Sequence, residues 1–167
     1  MWQDEAHHFV LSSDAMFQSV CRSYKVSNVV LSQNISNFYA TMGGEKSEAL
    51  VDSLFGNLNT RIFHANGDHK TNKWMAEVIG RTRVLVASAN TSQDPTDSVS
   101  DMFGIGPRRT SSGVSETFEF EVQPSICTKF RTGGPANRWL VDSIIFSNGS
   151  CFHATGRPYL FCTFSQK

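Results

Sequence analysis

The 167-residue sequence has few charges and no excess of either sign. Charged residues make up 18% of the chain, with 15 basic and 15 acidic side chains. This balance excludes a strongly basic nucleic-acid-binding protein and an acidic solvating tail. Aromatic residues are not scarce, because 13 Phe, 3 Trp and 3 Tyr supply ample surface to bury. The length and composition therefore predict one compact domain with a real core.

Long apolar runs and export signals are also missing. No stretch approaches the roughly 18–20 consecutive apolar residues that a membrane span needs, and residues 1–5 lack the basic and apolar regions of a signal peptide. No two cysteines form a CxxC pair. We therefore expect a cytoplasmic protein with reduced, buried thiols. These thiols belong to Cys21, Cys127, Cys151 and Cys162.

A third absence is the Walker A loop, GxxxxGK[ST], whose backbone amides and lysine hold nucleotide phosphates. The nearest stretch is residues 43–47 (GGEKS), where Glu45 replaces the second glycine and its carboxylate would repel phosphate. The histidines and nearby acids match no common zinc spacing, and no cysteine has the context of a nucleophile. The possible metal ligands are His7, His8, His64, Asp68 and His69.

What the sequence does contain is an alternation of short apolar runs and helical periodicity in its first half. A helix is predicted after the cap cluster Ser12–Asp14, and others over Glu48–Leu58 and from Asp68 to Gly80. The first helix is expected to bury one face, formed by Phe17, Val20, Cys21 and Tyr24. Short strands are predicted at Val29–Leu31 and Ile62–His64. This order is typical of an α/β fold with a parallel sheet and flanking helices.

The remainder of the sequence changes character. Ser, Thr, Asp, Gly and Pro dominate Ser88–Ser115, which predicts a long loop with a short helix near Val99–Phe103. We therefore divide the chain into a core over residues 1–87, a linker over 88–116 and a β-rich segment over 117–167 that packs on the core.

The β-rich segment has three strand signals. Alternating Phe and Glu predict a strand over Phe118–Gln123. Asn148-Gly149 predicts a hairpin turn between Leu140–Phe146 and Cys151–Ala154. A final strand is expected over Tyr159–Phe164.

Ligands bind at the carboxyl ends of parallel strands, so polar residues that follow predicted strands form the candidate site. Asp4 and Glu5 follow the first apolar run, as in a Walker B motif, where the Asp helps to hold Mg²⁺ and the Glu orients the attacking water. Gln33 follows the second strand, in the position of a γ-phosphate sensor. Arg22, near the end of the first helix, has the position of an arginine finger for a neighbouring subunit.

Each of these residues also has a plain structural interpretation. Asp4 and Glu5 would then be exposed turn residues, and Gln33 a polar residue at a strand end. Arg22 would be a solvated cation that is favourable at a helix carboxyl end. The residue patterns by themselves leave both interpretations open.

Several runs together resemble one family. They are residues 4–7 (DEAH), 32–36 (SQNIS), 54–62 (LFGNLNTRI), 123–125 (QPS), 131–135 (RTGGP) and 148–158. These runs resemble the C-terminal half of type IV secretion coupling ATPases, the conjugative DNA-transfer proteins of the TraD/TraG/VirD4 group. The resemblance covers most of the chain and is weakest across residues 88–115.

The resemblance implies part of a RecA-like P-loop ATPase domain followed by a β-hairpin-rich segment, with ATP and Mg²⁺ as cofactors. It assigns Asp4 to Mg²⁺ through water, Glu5 to the lytic water, Gln33 to sensing and nucleotide binding, and Arg22 to a finger. The implied partners are DNA, type IV secretion and relaxosome proteins, and further copies of the chain, forming a hexamer at the cytoplasmic face of the inner membrane.

The matched region starts within the Walker B strand. We therefore expect a truncated copy that hydrolyses little ATP alone and meets the membrane only through an N-terminal segment outside this chain. Two alternatives remain. One is a non-enzymatic interaction module that associates with a complete paralogue. The other is a related secretion-channel or helicase-type ATPase, which is disfavoured because no helicase Ser-Ala-Thr motif follows.

Overall fold

A computed structural model describes residues 1–43, 47–92 and 109–167. They form two compact units, one of residues 1–80 and 122–167 and the other of residues 81–121. The helices are α1 (Ser12–Cys21), α2 (Ile35–Met42), α3 (Ser47–Gly56) and α4 (His69–Ile79). The strands are β1 (Trp2–Gln3), β2 (Val29–Val30), β3 (Thr60–Phe63), β4 (Arg81–Ser92), β5 (Arg109–Phe120), β6 (Leu140–Ser147) and β7 (Tyr159–Ser165). Within these described ranges, no helix combines the length and the apolar character needed to cross a bilayer.

A small parallel sheet opens the first unit. β1 pairs with β2, with Trp2 opposite Val29 and Gln3 opposite Val30. A parallel pair needs a crossover connection. Helix α1, which lies between β1 and β2 in the sequence, forms this connection. The segment after α1 returns to the amino end of β1, where the Ser27 carbonyl accepts a 2.7 Å hydrogen bond from the Met1 amino group. The two strands therefore end at one edge, and the residues after α1 lie at the other.

Helices α2, α3 and α4 enclose the main apolar core. A chain of edge-to-face aromatic contacts runs from Phe38 to Phe55 (4.9 Å), on to Trp74 (5.2 Å) and then to Phe63 (5.7 Å). Smaller buried side chains fill the space around it. Such aromatic pairs contribute about 0.5–1.5 kcal/mol each beyond the area they bury. These contacts join α2, α3 and α4 to one another and to β3.

A second sheet in the same unit is antiparallel, in the order β3, β6, β7. β3 was expected to extend the parallel sheet, but it pairs antiparallel with β6, with Phe63 opposite Ile144. The buried side chains of Ile144 and Phe146 provide the apolar face that β3 needs. The fold is therefore mixed α/β, with one small parallel sheet and antiparallel sheets, and β3 lies outside the parallel sheet in which it was expected.

The second unit is an antiparallel ribbon of β4 and β5. Its ladder runs from the pair Arg81 and Phe120 to the pair Ser92 and Arg109. The Arg81 guanidinium lies 4.5 Å from the centre of the Phe120 ring. The two strands extend into the stretch that was predicted to be a loop, because a ladder uses backbone groups and accepts Ser and Thr as readily as apolar residues. The predicted short helix near Val99–Phe103 lies outside the described residues.

Other elements confirm or correct the sequence patterns. α3, α4 and β7 form where they were expected, and α2 was not predicted. β6 pairs with β7 instead of with Cys151–Ala154, which lie in the intervening loop and turn.

The predicted buried face of α1 is also wrong. Cys21 is buried, but Phe17 and Val20 are exposed and Tyr24 lies beyond the helix. This helix buries Ala15, Gln18 and Cys21 instead.

Candidate functional site at the ends of the parallel strands

The structure brings Glu5 and Gln33 together at the carboxyl edge of the parallel sheet. The Gln33 side-chain amide Nε2 donates a 2.9 Å hydrogen bond to Glu5 Oε1. The pairing register causes this contact, because the backbone ladder continues past β1 and β2. Leu31 N donates to the Gln3 carbonyl, and Ala6 N donates to the Leu31 carbonyl. Residues that are 28 positions apart in sequence thereby become neighbours.

Glu5 has an unusual backbone. Its φ of 48° and ψ of 44° place it in the left-handed region, which costs a non-glycine residue about 1–2 kcal/mol. The conformation turns the chain sharply from β1 into a short 3₁₀ helix over Ala6–His8. The turn also brings Glu5 N within 3.0 Å of the Asp4 carboxylate, which accepts its hydrogen bond. Strain of this kind is common at functional sites, and here it sets the direction of the Glu5 side chain.

A third strand end joins the same edge. Asn66 follows β3, and its Nδ2 donates a 2.7 Å hydrogen bond to the Gln33 carbonyl. Asp68 caps α4 by accepting from Thr71 N and also accepts from Ser36 Oγ at 2.9 Å. Burial alone would raise the pKa of Asp68, but the hydrogen bonds from Thr71 and Ser36 outweigh it and hold the pKa below its usual range. Asp68 therefore stays ionised and ties α2 to α4.

Asp4 and Arg22 lie outside the hydrogen-bonded pair of Glu5 and Gln33. Asp4 is exposed beside Glu5, so its carboxylate faces solvent at the same edge. Arg22 is exposed at the end of α1, the end of the crossover that is opposite to Glu5. Within the described part of the chain its side chain makes no hydrogen bond or ion pair. The structure thus unites Asp4, Glu5 and Gln33 and separates Arg22 from them.

Sequence reasoning missed the role of His7, which it weighed only as a metal ligand. His7 is buried, and its Nδ1 lies 3.0 Å from Ser32 Oγ and 3.5 Å from Glu5 Oε2. The signal that could have indicated this contact is the position of His7, two residues after Glu5 in the run DEAH. Among the described residues, no three His, Cys, Asp or Glu side chains gather as metal ligands.

The residues at this edge fit one side of a Mg²⁺–nucleotide site. Magnesium keeps several waters and is bound by one or two carboxylates together with substrate phosphates, which matches the exposed carboxylate of Asp4 beside Glu5. Glu5 Oε1 accepts from Gln33, and Glu5 Oε2 is buried without a hydrogen-bond partner among the described residues. The chain has no Walker A sequence to hold phosphates.

Comparison with protein-family models matches residues 1–118 to the family described as the TraM recognition site of TraD and TraG. A search of curated proteins finds no match. The family match includes β1, β2, β3 and the polar residues that follow each of them. It covers more than two thirds of the sequence, and the chain therefore belongs to this family, the C-terminal region of TraD/TraG-type conjugative coupling proteins.

Proposed function

We propose that the chain forms the Walker B and sensor side of an ATP site within a RecA-like domain of a conjugative coupling protein. ATP hydrolysis at the complete site would drive the delivery of DNA to the secretion channel. The observation that carries this proposal is the hydrogen bond between Gln33 and Glu5 at the ends of two parallel strands. Phosphoryl transfer requires mainly positioned charges and an oriented water, and these two side chains supply an acceptor and a sensor.

Asp4, Glu5 and Gln33 have separate roles in this proposal. When bound, Mg²⁺ neutralises the charge that develops on the phosphates. Asp4 would hold Mg²⁺ through water, and Glu5 would accept a hydrogen bond from the attacking water. Gln33 donates a hydrogen bond to Glu5 Oε1. A terminal phosphate offers the Gln33 amide a second acceptor, and Glu5 Oε1 is then released to bind the water.

Arg22 takes part only across a subunit boundary in this proposal. The crossover places it at the end of the sheet opposite to Glu5, so it does not reach the nucleotide edge of its own chain. A ring of copies, six in the complete coupling protein, would bring the Arg22 of one copy to the nucleotide of the next. The ring would lie at the cytoplasmic face of the inner membrane.

A second proposed function is recognition of the relaxosome protein TraM. The description of the family names TraM as the protein that this region recognises. Recognition of TraM requires no nucleotide and would persist in a chain that does not hydrolyse ATP. The chain would then link DNA bound by the relaxosome to the transfer machinery.

The nucleotide proposal is tested with Mn²⁺–ATP, because Mn²⁺ broadens nearby NMR signals. We expect the backbone signals of Asp4, Glu5 and Gln33 to broaden, and Asp4→Asn to reduce this broadening severalfold. Glu77→Gln is the matched control, since Glu77 lies on the surface of α4 and pairs with Lys73. Broadening centred elsewhere, or unchanged in Asp4→Asn, would contradict the proposal. Purified TraM should bind the wild-type chain and both variants equally.

A further inference from the structure

His7 is a buried side chain with a polar contact at each ring nitrogen. It is 6% exposed, and its ring meets the edge of Phe38 with the ring centres 6.0 Å apart. Nδ1 lies 3.0 Å from Ser32 Oγ, and Nε2 lies 3.5 Å from Asn37 Nδ2. Packing against Phe38 requires only a flat ring, so it does not explain why a residue with two ring nitrogens occupies this position.

The neighbours of His7 favour one tautomer. The side-chain nitrogen of Asn37 donates hydrogen bonds, and its contact with Nε2 matches a ring whose proton lies on Nδ1. Ser32 Oγ donates to the Asn34 carbonyl at 3.4 Å, which leaves a lone pair to accept from Nδ1–H. The contacts form a consistent chain of donors and acceptors from Asn37 through His7 to Ser32.

The same Nδ1–H group faces Glu5. Glu5 Oε2 is buried without a hydrogen-bond partner among the described residues, and His7 Nδ1 lies 3.5 Å from it. An acceptor that is buried without a hydrogen bond is costly. A small shift of either side chain would let Nδ1–H donate to this oxygen, while Gln33 continues to donate to the other one.

We propose that His7 is a positioning residue for Glu5. Its ring, with a proton on Nδ1, holds the Glu5 carboxylate on one side while Gln33 holds it on the other. His7 also contacts Ser32, which directly precedes Gln33. One imidazole therefore positions both Glu5, after β1, and Gln33, after β2. The inference rests on the proposed role of Glu5 in orienting water.

The test uses the whole chain without nucleotide. Long-range ¹H–¹⁵N NMR of the imidazole reports the tautomer of His7, and the Glu5 carboxyl carbon and Gln33 side-chain amide report the geometry of the pair. His7→Phe keeps the ring and the contact with Phe38 but removes both nitrogens. His7→Asn retains a donor close to the position of Nδ1. His153→Phe is the control, because His153 is an exposed histidine in the loop between β6 and β7.

We expect an Nδ1–H tautomer in the wild-type chain, shifted Glu5 and Gln33 signals in His7→Phe, signals near their wild-type positions in His7→Asn, and no shift in His153→Phe. An Nε2–H tautomer would overturn the proposal, as would unchanged Glu5 signals in a folded His7→Phe chain. If His7→Phe does not fold, the tautomer and the Asn variant decide. These signals are recorded without nucleotide. Failure of Mn²⁺–ATP binding would therefore refute the proposed function without changing the NMR result for His7.

Discussion

Asn66 donates a 2.7 Å hydrogen bond from its side-chain Nδ2 to the backbone carbonyl of Gln33. The bond joins the loop after β3, which belongs to the antiparallel sheet, to the end of β2 in the parallel sheet. Asn66 Oδ1 in turn accepts from Asp68 N at 2.6 Å. One amide side chain thus connects the start of α4 to the candidate sensor.

Replacing Asn66 by alanine should destabilise the fold. The change leaves the Gln33 carbonyl and Asp68 N without these partners, and we expect a loss of about 1–3 kcal/mol in the free energy of unfolding. Urea denaturation followed by circular dichroism measures it. Asn59→Ala is the control, since the exposed Asn59 side chain makes no hydrogen bond among the described residues. An equal loss in both variants would show that the Asn66 contacts contribute nothing specific.

Asp68 predicts a dependence of stability on acid pH. Its pKa is lower in the folded chain than the ordinary value, which is about 3.9. Its contribution is therefore fully present above the unfolded pKa and is lost as the pH falls through the folded pKa. We expect the free energy of unfolding to fall less steeply below about pH 4 in Asp68→Asn than in wild type. Identical slopes would contradict this assignment.

Truncation of Phe38 tests the aromatic core. Phe38 is 1% exposed, and Phe38→Ala should cost about 3–5 kcal/mol because it removes buried area and leaves a cavity. Phe9→Ala serves as the comparison, since Phe9 is 72% exposed and should change stability by less than about 0.5 kcal/mol. Thermal and urea unfolding of the two variants give both values. Similar losses in the two would refute the placement of the core.

The cysteines should differ in reactivity. All four were expected to be buried, but Cys151 is exposed and Cys162 is partly exposed. Burial raises the pKa of the Cys127 thiol to about 11, and only the thiolate reacts with alkylating reagents. At pH 8 iodoacetamide should modify Cys151 rapidly and Cys127 only after unfolding. Mass spectrometry of digested protein measures this order, and rapid labelling of native Cys127 would disprove it.

Local chemistry predicted part of the fold. Asp68 and Gly80 bound α4 as expected, because a side-chain cap and a glycine with φ of 109° are signals contained in a few residues. α2 was missed although Asn34 caps it, because the polar run before it was interpreted only as a strand end. The partner of β3 could not be predicted, since a strand of only four residues does not encode the direction of its neighbour.

The sequence predicted where the candidate site lies, but it did not predict most of the contacts within the site. Polar residues after β1 and β2 were expected at one edge, and Glu5 and Gln33 meet there. The left-handed turn at Glu5 and the burial of His7 depend on tertiary packing, which sequence periodicity does not report. The roles of Asp4, Glu5, Gln33 and Arg22 came from the family resemblance and stay predictions until the variants are measured.

The pairing of Phe63 with Ile144 has a consequence for how the protein is made. The two residues are 81 positions apart (144 − 63), so β3 leaves the ribosome long before its partner strand is synthesised. Closing so large a loop is slow compared with forming a local hairpin. Until β6 is synthesised, the apolar face of β3 stays uncovered. A chaperone that binds nascent apolar segments would bind at this strand.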